Sequence, residues 1–403
     1  MKTIEKPKMT CLQLTMAVML NMLGSSIILM PTKLAEVGTM SILAWLVTIS
    51  GATTIAYVFA KCGMFSKKSG GIGGYAAYAF GKSGSFIANF SYGVSLIIAN
   101  LTIAISIVGY LMVLFEWNLT PLEMGIASII VIWLCSLPNI RGARFIGQLS
   151  HFSSYGILIP ILILTVIGWN WFSVDRYIGA WNPQNLSLFD GISAGISMTL
   201  WGFLGLETAS ANSEAVEDPE KSVPRAMVLA NNISFGIVDN ELLSHSTAPF
   251  GLVFATMFSP EIGKFVMALM ALACAGCLTS WQFTIAEVFR VSAREEYFPK
   301  LFAKVTRLNV PVIGMVVILL LQSLAALLID PRLEQQFYIL KDLAVVTNLV
   351  PYLLAFAAAN VIVHREPADP KTASRITIVA TIASVYSLYA LYACGESAMM
   401  WGA

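Results

Sequence analysis

The residues of this chain that could do chemistry gather in one apolar stretch, residues 196–212, ISMTLWGFLGLETASAN. It has the hydrophobicity of a membrane-crossing helix, yet it carries Trp201, Gly202, Gly205 and a bare carboxylate, Glu207. A carboxylate near the middle of a bilayer costs roughly 2.5–3.5 kcal/mol on insertion scales, so it usually faces a cavity or a partner. Glycines inside such a helix leave backbone groups free where a ligand can use them. A countercharge, free backbone and an aromatic face together suit a site for a cation. The plainer alternative is a packing pair of glycines and a glutamate at the cytoplasmic helix end, reaching out to water.

A second stretch repeats the signature. Residues 21–28, NMLGSSII, interrupt the first apolar span with Asn21, Gly24, Ser25 and Ser26 ahead of Ile27. Unwound backbone there offers N–H groups and a half-helix N-terminus to an anion, and carbonyls to a cation. Corresponding breaks in two halves of a chain are the sequence pointer to an inverted-repeat transporter with its site near the bilayer midplane. Trp281, in a later apolar span, offers a further π face, each such contact being worth roughly 0.5–2 kcal/mol. For each tryptophan the alternative is an interfacial belt or a packing role.

The elements that must position these residues are membrane helices. A chain of 403 residues that is 57% hydrophobic and 12% charged, with mean hydropathy +0.75, is no ordinary soluble domain. A net charge of +1 gives no electrostatic case for nucleic acid. Apolar segments of spanning length fall near 12–31, 40–61, 86–115, 123–140, 152–172, 192–212, 262–289, 311–330, 343–363 and 376–394. The N-terminal run is too long for a signal peptide, contains Gln13 and Asn21, and lacks a small-residue cleavage site, so it reads as a retained first helix.

Charge sets the orientation. Lysines and arginines gather at 2–8, 61–82, 141–144, 221–225, 290–307 and 364–375, and the intervening loops are poor in them. This alternation places the N-terminus in the cytoplasm. The clusters at 221–225 and 290–307 both ask to be inside, so an even number of crossings must separate them. Only 262–289 is a good span in that interval; its partner is Ala226–Val238, thirteen residues with Asn231 and Asn232 in the middle. As a helix it covers about 20 Å against a hydrocarbon core of roughly 30 Å. The tail GESAMMWGA carries no further helix.

Other motifs fail. Gly81-Lys82-Ser83 has Ala76 where a P-loop needs its first glycine. The glycine run at 70–74 reads as a flexible loop before a helix. His151, His245 and His364 lie far apart, at expected loops, with no metal spacing. Cys274 and Cys277 form C-x-x-C in an apolar helix, where cysteines act as small hydrophobes. The reading is one membrane domain over residues 1–403, with no cofactor, no metal and no enzyme site.

Several runs are specific enough to name a family: PTKLAEVGT (31–39), FAKCGMFSKKSGG (59–71), YAFGKSG (78–84), NFSYGVSLIIAN (89–100), MTLWGFLGLE (198–207), STAPFG (246–251), SWQFTIAEVF (280–289), YFPK (297–300) and LAVVTN (343–348). Covering nearly the whole chain, they make it resemble the basic amino acid/polyamine antiporters of the amino acid–polyamine–organocation superfamily. The resemblance implies an all-α polytopic protein of the bacterial inner membrane. Its fold would be a five-plus-five inverted repeat with discontinuous first and sixth helices, plus two extra helices. The first repeat would run over about 12–172 and the second over about 192–363, with an extra helix at 376–394.

The implied activity is exchange of a basic amino acid such as ornithine for its decarboxylated amine, such as putrescine; proton coupling and oligomeric state stay open. Glu207 would be the countercharge, with Trp201 and Trp281 as π faces and the segment from Gly24 to Ile27 holding a substrate carboxylate. Tyr92 and Asn100, eight apart and close to one helical face, match family positions near the substrate side chain. The chain departs from the family in two ways. Gly24-Ser25-Ser26 stands where members carry Gly-Ser-Gly, and the seventh helix is shortened by about a dozen residues with the twelfth missing. The alternative function is therefore a truncated, poorly active or non-transporting paralogue.

Overall fold

The computed structural model describes residues 11–24, 26–68, 70–205, 207, 232–327, 333–366 and 368–402. Every regular element among them is helical. Among the described residues, seven helices are long and apolar enough to cross a membrane: Ser41–Phe65, Gly71–Phe115, Pro121–Arg141, Ala143–Trp171, Pro260–Arg294, Ile339–Arg365 and Pro370–Ala393. A shorter apolar helix, Val312–Leu327, is about 24 Å long. The first and sixth expected spans are not continuous. The first is split into Cys11–Leu23 and Ser26–Val37, and in the sixth the helix Leu188–Trp201 stops in a turn over 202–205.

Local sequence sets several of these boundaries. Thr120 forms a capping box with Glu123 ahead of Pro121, and Ser187 accepts from the Asp190 N–H (3.1 Å) at the start of the sixth span. Asp369 does the same for Thr372 (2.9 Å) at the start of Pro370–Ala393.

Packing around the two breaks is asymmetric, which is what holds them in place. Cys11–Leu23 lies against Ala143–Ile167 and Pro260–Arg294, where the Ser154 hydroxyl donates to the Met16 carbonyl (3.0 Å). Ser26–Val37 lies instead against Leu188–Trp201 and the short helices Asn240–Ser244 and Pro249–Met257. Helix Leu188–Trp201 also meets Ser41–Phe65 through Thr48 and Thr199, whose hydroxyls are 2.7 Å apart. Gly71–Phe115 and Leu333–Arg365 form the most extensive helix pair; there Ser95 donates to the Ala344 carbonyl (2.8 Å).

Four expectations need correction. The glycine run is not a loop: a helix begins at Gly71, and the Gly73 N–H donates to Asn89 Oδ1 (3.2 Å) across a kink at Gly81. The third span therefore starts well before residue 86. His151 and His364 sit in helices rather than loops. The tail forms a short helix, Glu396–Gly402. Most of Ala226–Val238 lies outside the described residues, but residues 232–237 are helical. Asn232 Oδ1 accepts from Tyr177 (2.7 Å) in the connecting helix Val174–Gly179.

Candidate functional site

Glu207 is buried, 4% exposed, just past the point where the sixth span breaks. Its carboxylate is held from three sides. Tyr92 donates to Oε1 (2.7 Å) from Gly71–Phe115, Tyr352 donates to Oε2 from Leu333–Arg365, and the Gly205 N–H donates to Oε2 (3.0 Å). Hydrogen bonds to a charged group are worth about 1.5–3 kcal/mol each, which offsets part of the cost of burying it. The plainer reading, a glutamate reaching out to water, is incompatible with this burial.

The backbone bond depends on glycine. Gly205 has φ +114°, a region L side chains rarely adopt, and a Cβ there would lie 3.4 Å from both Trp281 Cζ2 and Asn21 Cβ. The two breaks therefore meet: Asn21 from the first span, Gly205 from the sixth and Trp281 from Pro260–Arg294. The Trp281 indole N–H also donates to the Asn21 carbonyl (3.4 Å). Gly24 is required for a different reason. A Cβ on it would overlap Cys277, while the Cys274 thiol donates to the Gly24 carbonyl (2.9 Å). The C-x-x-C pair is thus the seat of the first break, and both cysteines are buried.

Of the expected site residues, Tyr92, Gly205, Glu207 and Trp281 converge directly, while Gly24 packs against the Cys274–Cys277 segment of the same helix as Trp281. Trp201 and Gly202 close the helix that leads into Glu207, and both are buried. Ser26 is fully buried, with its hydroxyl turned back onto the Met22 carbonyl (2.7 Å) rather than outward. Ile27 contributes described backbone at the start of the second half-helix, and Ser25 lies outside the described residues. Asn100 does not bond to Tyr92 or Glu207. Its Oδ1 and Nδ2, and the Asn21 Oδ1, are buried with no hydrogen-bond partner among the described residues.

Three residues escaped the sequence reading. Tyr352 looks like any aromatic in an apolar span, and only its pairing with Glu207 distinguishes it. Asn21 was seen as part of a break but not as a side chain facing the sixth span. Lys341, 1% exposed, donates to Ser197 (2.6 Å) on the sixth span and pairs with Asp342 (2.5 Å). Its signal was a lysine at the edge of an apolar run. Lys341, Asn348 and Tyr352 fall on one helical face, so that face carries polar groups along the wall opposite Leu188–Trp201.

The family model described as amino acid permease matches residues 9–398. The chain belongs to the amino acid permease family. It is 50% identical over 415 residues to the putrescine transporter PotE of Escherichia coli strain K12, covering 100% of this chain and 94% of that protein. Identity to the putrescine transporter PotE of Haemophilus influenzae is 52% over 408 residues, covering 98% and 94%. A cadaverine/lysine antiporter of Escherichia coli strain K12 is 28% identical over 367 residues, covering 85% and 82%. Among solved structures, MhsT in complex with L-phenylalanine superposes with a TM-score of 0.66 at 13% identity, covering 96% of this chain and 100% of that one; this likeness is of fold alone. As a permease built of these apolar helices, the protein is a multi-pass membrane transporter of the polyamine and amino acid class. The 415-residue alignment exceeds the chain's 403 residues by 12, so at least 12 of its positions are gaps in this permease.

Proposed function

We propose that this permease exchanges putrescine or a related polyamine for ornithine or a related basic amino acid across the bacterial inner membrane. It would do so with its N-terminus in the cytoplasm and its halves, about 12–172 and 192–363, related as inverted repeats. The observation that carries the reading is the Glu207 carboxylate, buried where two interrupted helices meet and bonded to phenols from two other helices. A diamine ammonium is a stronger partner for a carboxylate than a phenol is, since both ends of the bond are charged. An arriving ammonium competes with Tyr92 and Tyr352 for the same oxygens, so binding loosens the tie between Gly71–Phe115 and Leu333–Arg365. Trp281 and Trp201 supply π faces to the stem and second ammonium, and Asn21 Oδ1 is an acceptor beside them. An amino acid differs by its carboxylate, which the N–H groups from Ser25 to Ile27 receive at the start of the second half-helix.

Counterflow tests this. Vesicles carrying the protein and preloaded with ornithine should take up labelled putrescine faster than unloaded vesicles. Equal uptake with and without ornithine would end the exchange reading. A second reading, a poorly active or non-transporting paralogue, is favoured by the gapped positions, at least 12 in all. It predicts weak counterflow or none.

A further inference from the structure

The end of Leu333–Arg365, about 20 Å along the helix from Tyr352, borders two adjoining cavities. A cavity of about 790 Å³ opens between the end of Leu333–Arg365 and the start of Pro370–Ala393, lined by Asn360, His364, Arg365, Ser374, Thr377 and Ile378, among others. A second cavity of about 570 Å³ adjoins it, sharing Pro370, Ser374 and Ile378 and adding Lys371 and Arg375. Arg365, Lys371 and Arg375 make no ion pair with the described residues. The acid in the wall is already engaged: Glu366 pairs with Lys67 (2.5 Å) and accepts from Tyr78 (3.1 Å). Asp369 caps its own helix by accepting from Thr372. His364, also in the wall, donates from Nδ1 to the Asn360 carbonyl (2.7 Å). The cavity therefore carries unpaired positive charge.

The same helix continues that face into apolar surface. Lys371, Ser374 and Arg375, Ile378, Ile382 and Val385 succeed one another at three- and four-residue spacing, so they share one side of Pro370–Ala393. Ile378, Ile382, Val385 and Leu388 are all exposed. A basic, hydroxyl-bearing recess that passes into an apolar stripe along a membrane-crossing helix has the form of a phospholipid, phosphate at one end and acyl chain along the other. Basic pockets between membrane helices on the cytoplasmic side suit anionic head groups, and the proposed orientation puts residues 364–375 there.

We propose that this recess binds one anionic phospholipid, its phosphate between Arg365, Lys371 and Arg375 and an acyl chain along Ile378, Ile382 and Val385. The test is native mass spectrometry of the purified, delipidated full chain titrated with phosphatidylglycerol or phosphatidylcholine. The parent should hold one phosphatidylglycerol under conditions that strip phosphatidylcholine. Each basic residue near an anionic head group contributes about fivefold in affinity. The triple variant Arg365→Gln, Lys371→Gln, Arg375→Gln should therefore bind phosphatidylglycerol about a hundredfold less, with an unchanged thermal midpoint in phosphatidylcholine as the folding control. Ile378→Ser with Ile382→Ser should weaken phosphatidylglycerol while leaving the three charges in place. If that triple variant unfolds, this pair decides alone: undiminished retention overturns the proposal. Undiminished retention in a folded triple variant overturns it too. So does displacement of the lipid by millimolar inorganic phosphate, which would mean a free-anion site, or a fall in retention that merely follows loss of a dimer mass, which would mean that a second copy covers the face.

Discussion

Glu207 was legible because a carboxylate in an apolar run has few ways to survive, and its three donors show which way it took. Trp281 was legible as an aromatic but not in its role, since its contact with Asn21 and the Gly205 backbone depends on a meeting of two breaks far apart in sequence. If its face contacts the amine-bearing stem, Trp281→Phe should raise the apparent KM for putrescine less than Trp281→Leu does, by about the 0.5–2 kcal/mol of one cation–π contact. Equal effects in an uptake assay would mean that size alone matters. Ser26→Gly bears on the carboxylate end. The serine hydroxyl donates to the Met22 carbonyl in the first half-helix, and removing the side chain leaves more room for a carboxylate to approach the backbone N–H groups at the start of the second. The expected outcome is improved ornithine transport with putrescine transport changed less, measured as separate KM values. An equal change for both would remove the first break from carboxylate recognition.

At the scale of elements, both breaks were written in the sequence as small polar residues inside apolar runs, and both are present. The glycine run at 70–74 misled for a physical reason: glycine lowers helix propensity, but here the short helix is held by the Asn89 side chain and by Tyr78. That helix belongs to a clasp at one end of the molecule. Tyr78 donates to Glu366 and accepts from the Lys67 N–H, while the Lys67 ammonium bonds Glu366. The Lys67 hydrogen bond holds the Glu366 carboxyl below the usual carboxylate range and raises Lys67 in turn. A depressed carboxylate pKa means that the clasp is complete above the ordinary value of about 4.3 and is lost as pH falls through the lowered one. Amide exchange over residues 66–78 should therefore stay slow from pH 8 to pH 5 after correction for intrinsic rates. Glu366→Gln should speed it throughout that range. A parent whose exchange already rises between pH 7 and pH 5 would contradict the assignment.

At the scale of the whole molecule, the permease family, the long apolar helices and the helical architecture of the described residues could be read from hydropathy and from motif runs. The segment Ala226–Val238 could not, because thirteen residues are too few for an ordinary span and Asn231 and Asn232 leave its depth unsettled. Asn240 bonds the Ala35 carbonyl (3.0 Å) at the end of Ser26–Val37, and the 35-residue helix Pro260–Arg294 then runs about 52 Å toward Lys300. In a background without native cysteines, Glu241→Cys should react with an impermeant thiol reagent from outside and Lys300→Cys should be protected. Labelling of Lys300→Cys from outside would mean that the second half is inverted.

The central claim is that a buried carboxylate at the meeting of two broken helices is the countercharge for a transported diamine. Uptake of labelled putrescine by the parent and by Glu207→Gln, at equal surface expression, tests it most directly. The variant keeps size and polarity but loses the charge, and a charge-assisted bond of about 1.5–3 kcal/mol corresponds to a loss of roughly 10- to 100-fold in apparent affinity. Uptake by the Gln variant that matches the parent across the concentration range would contradict the account.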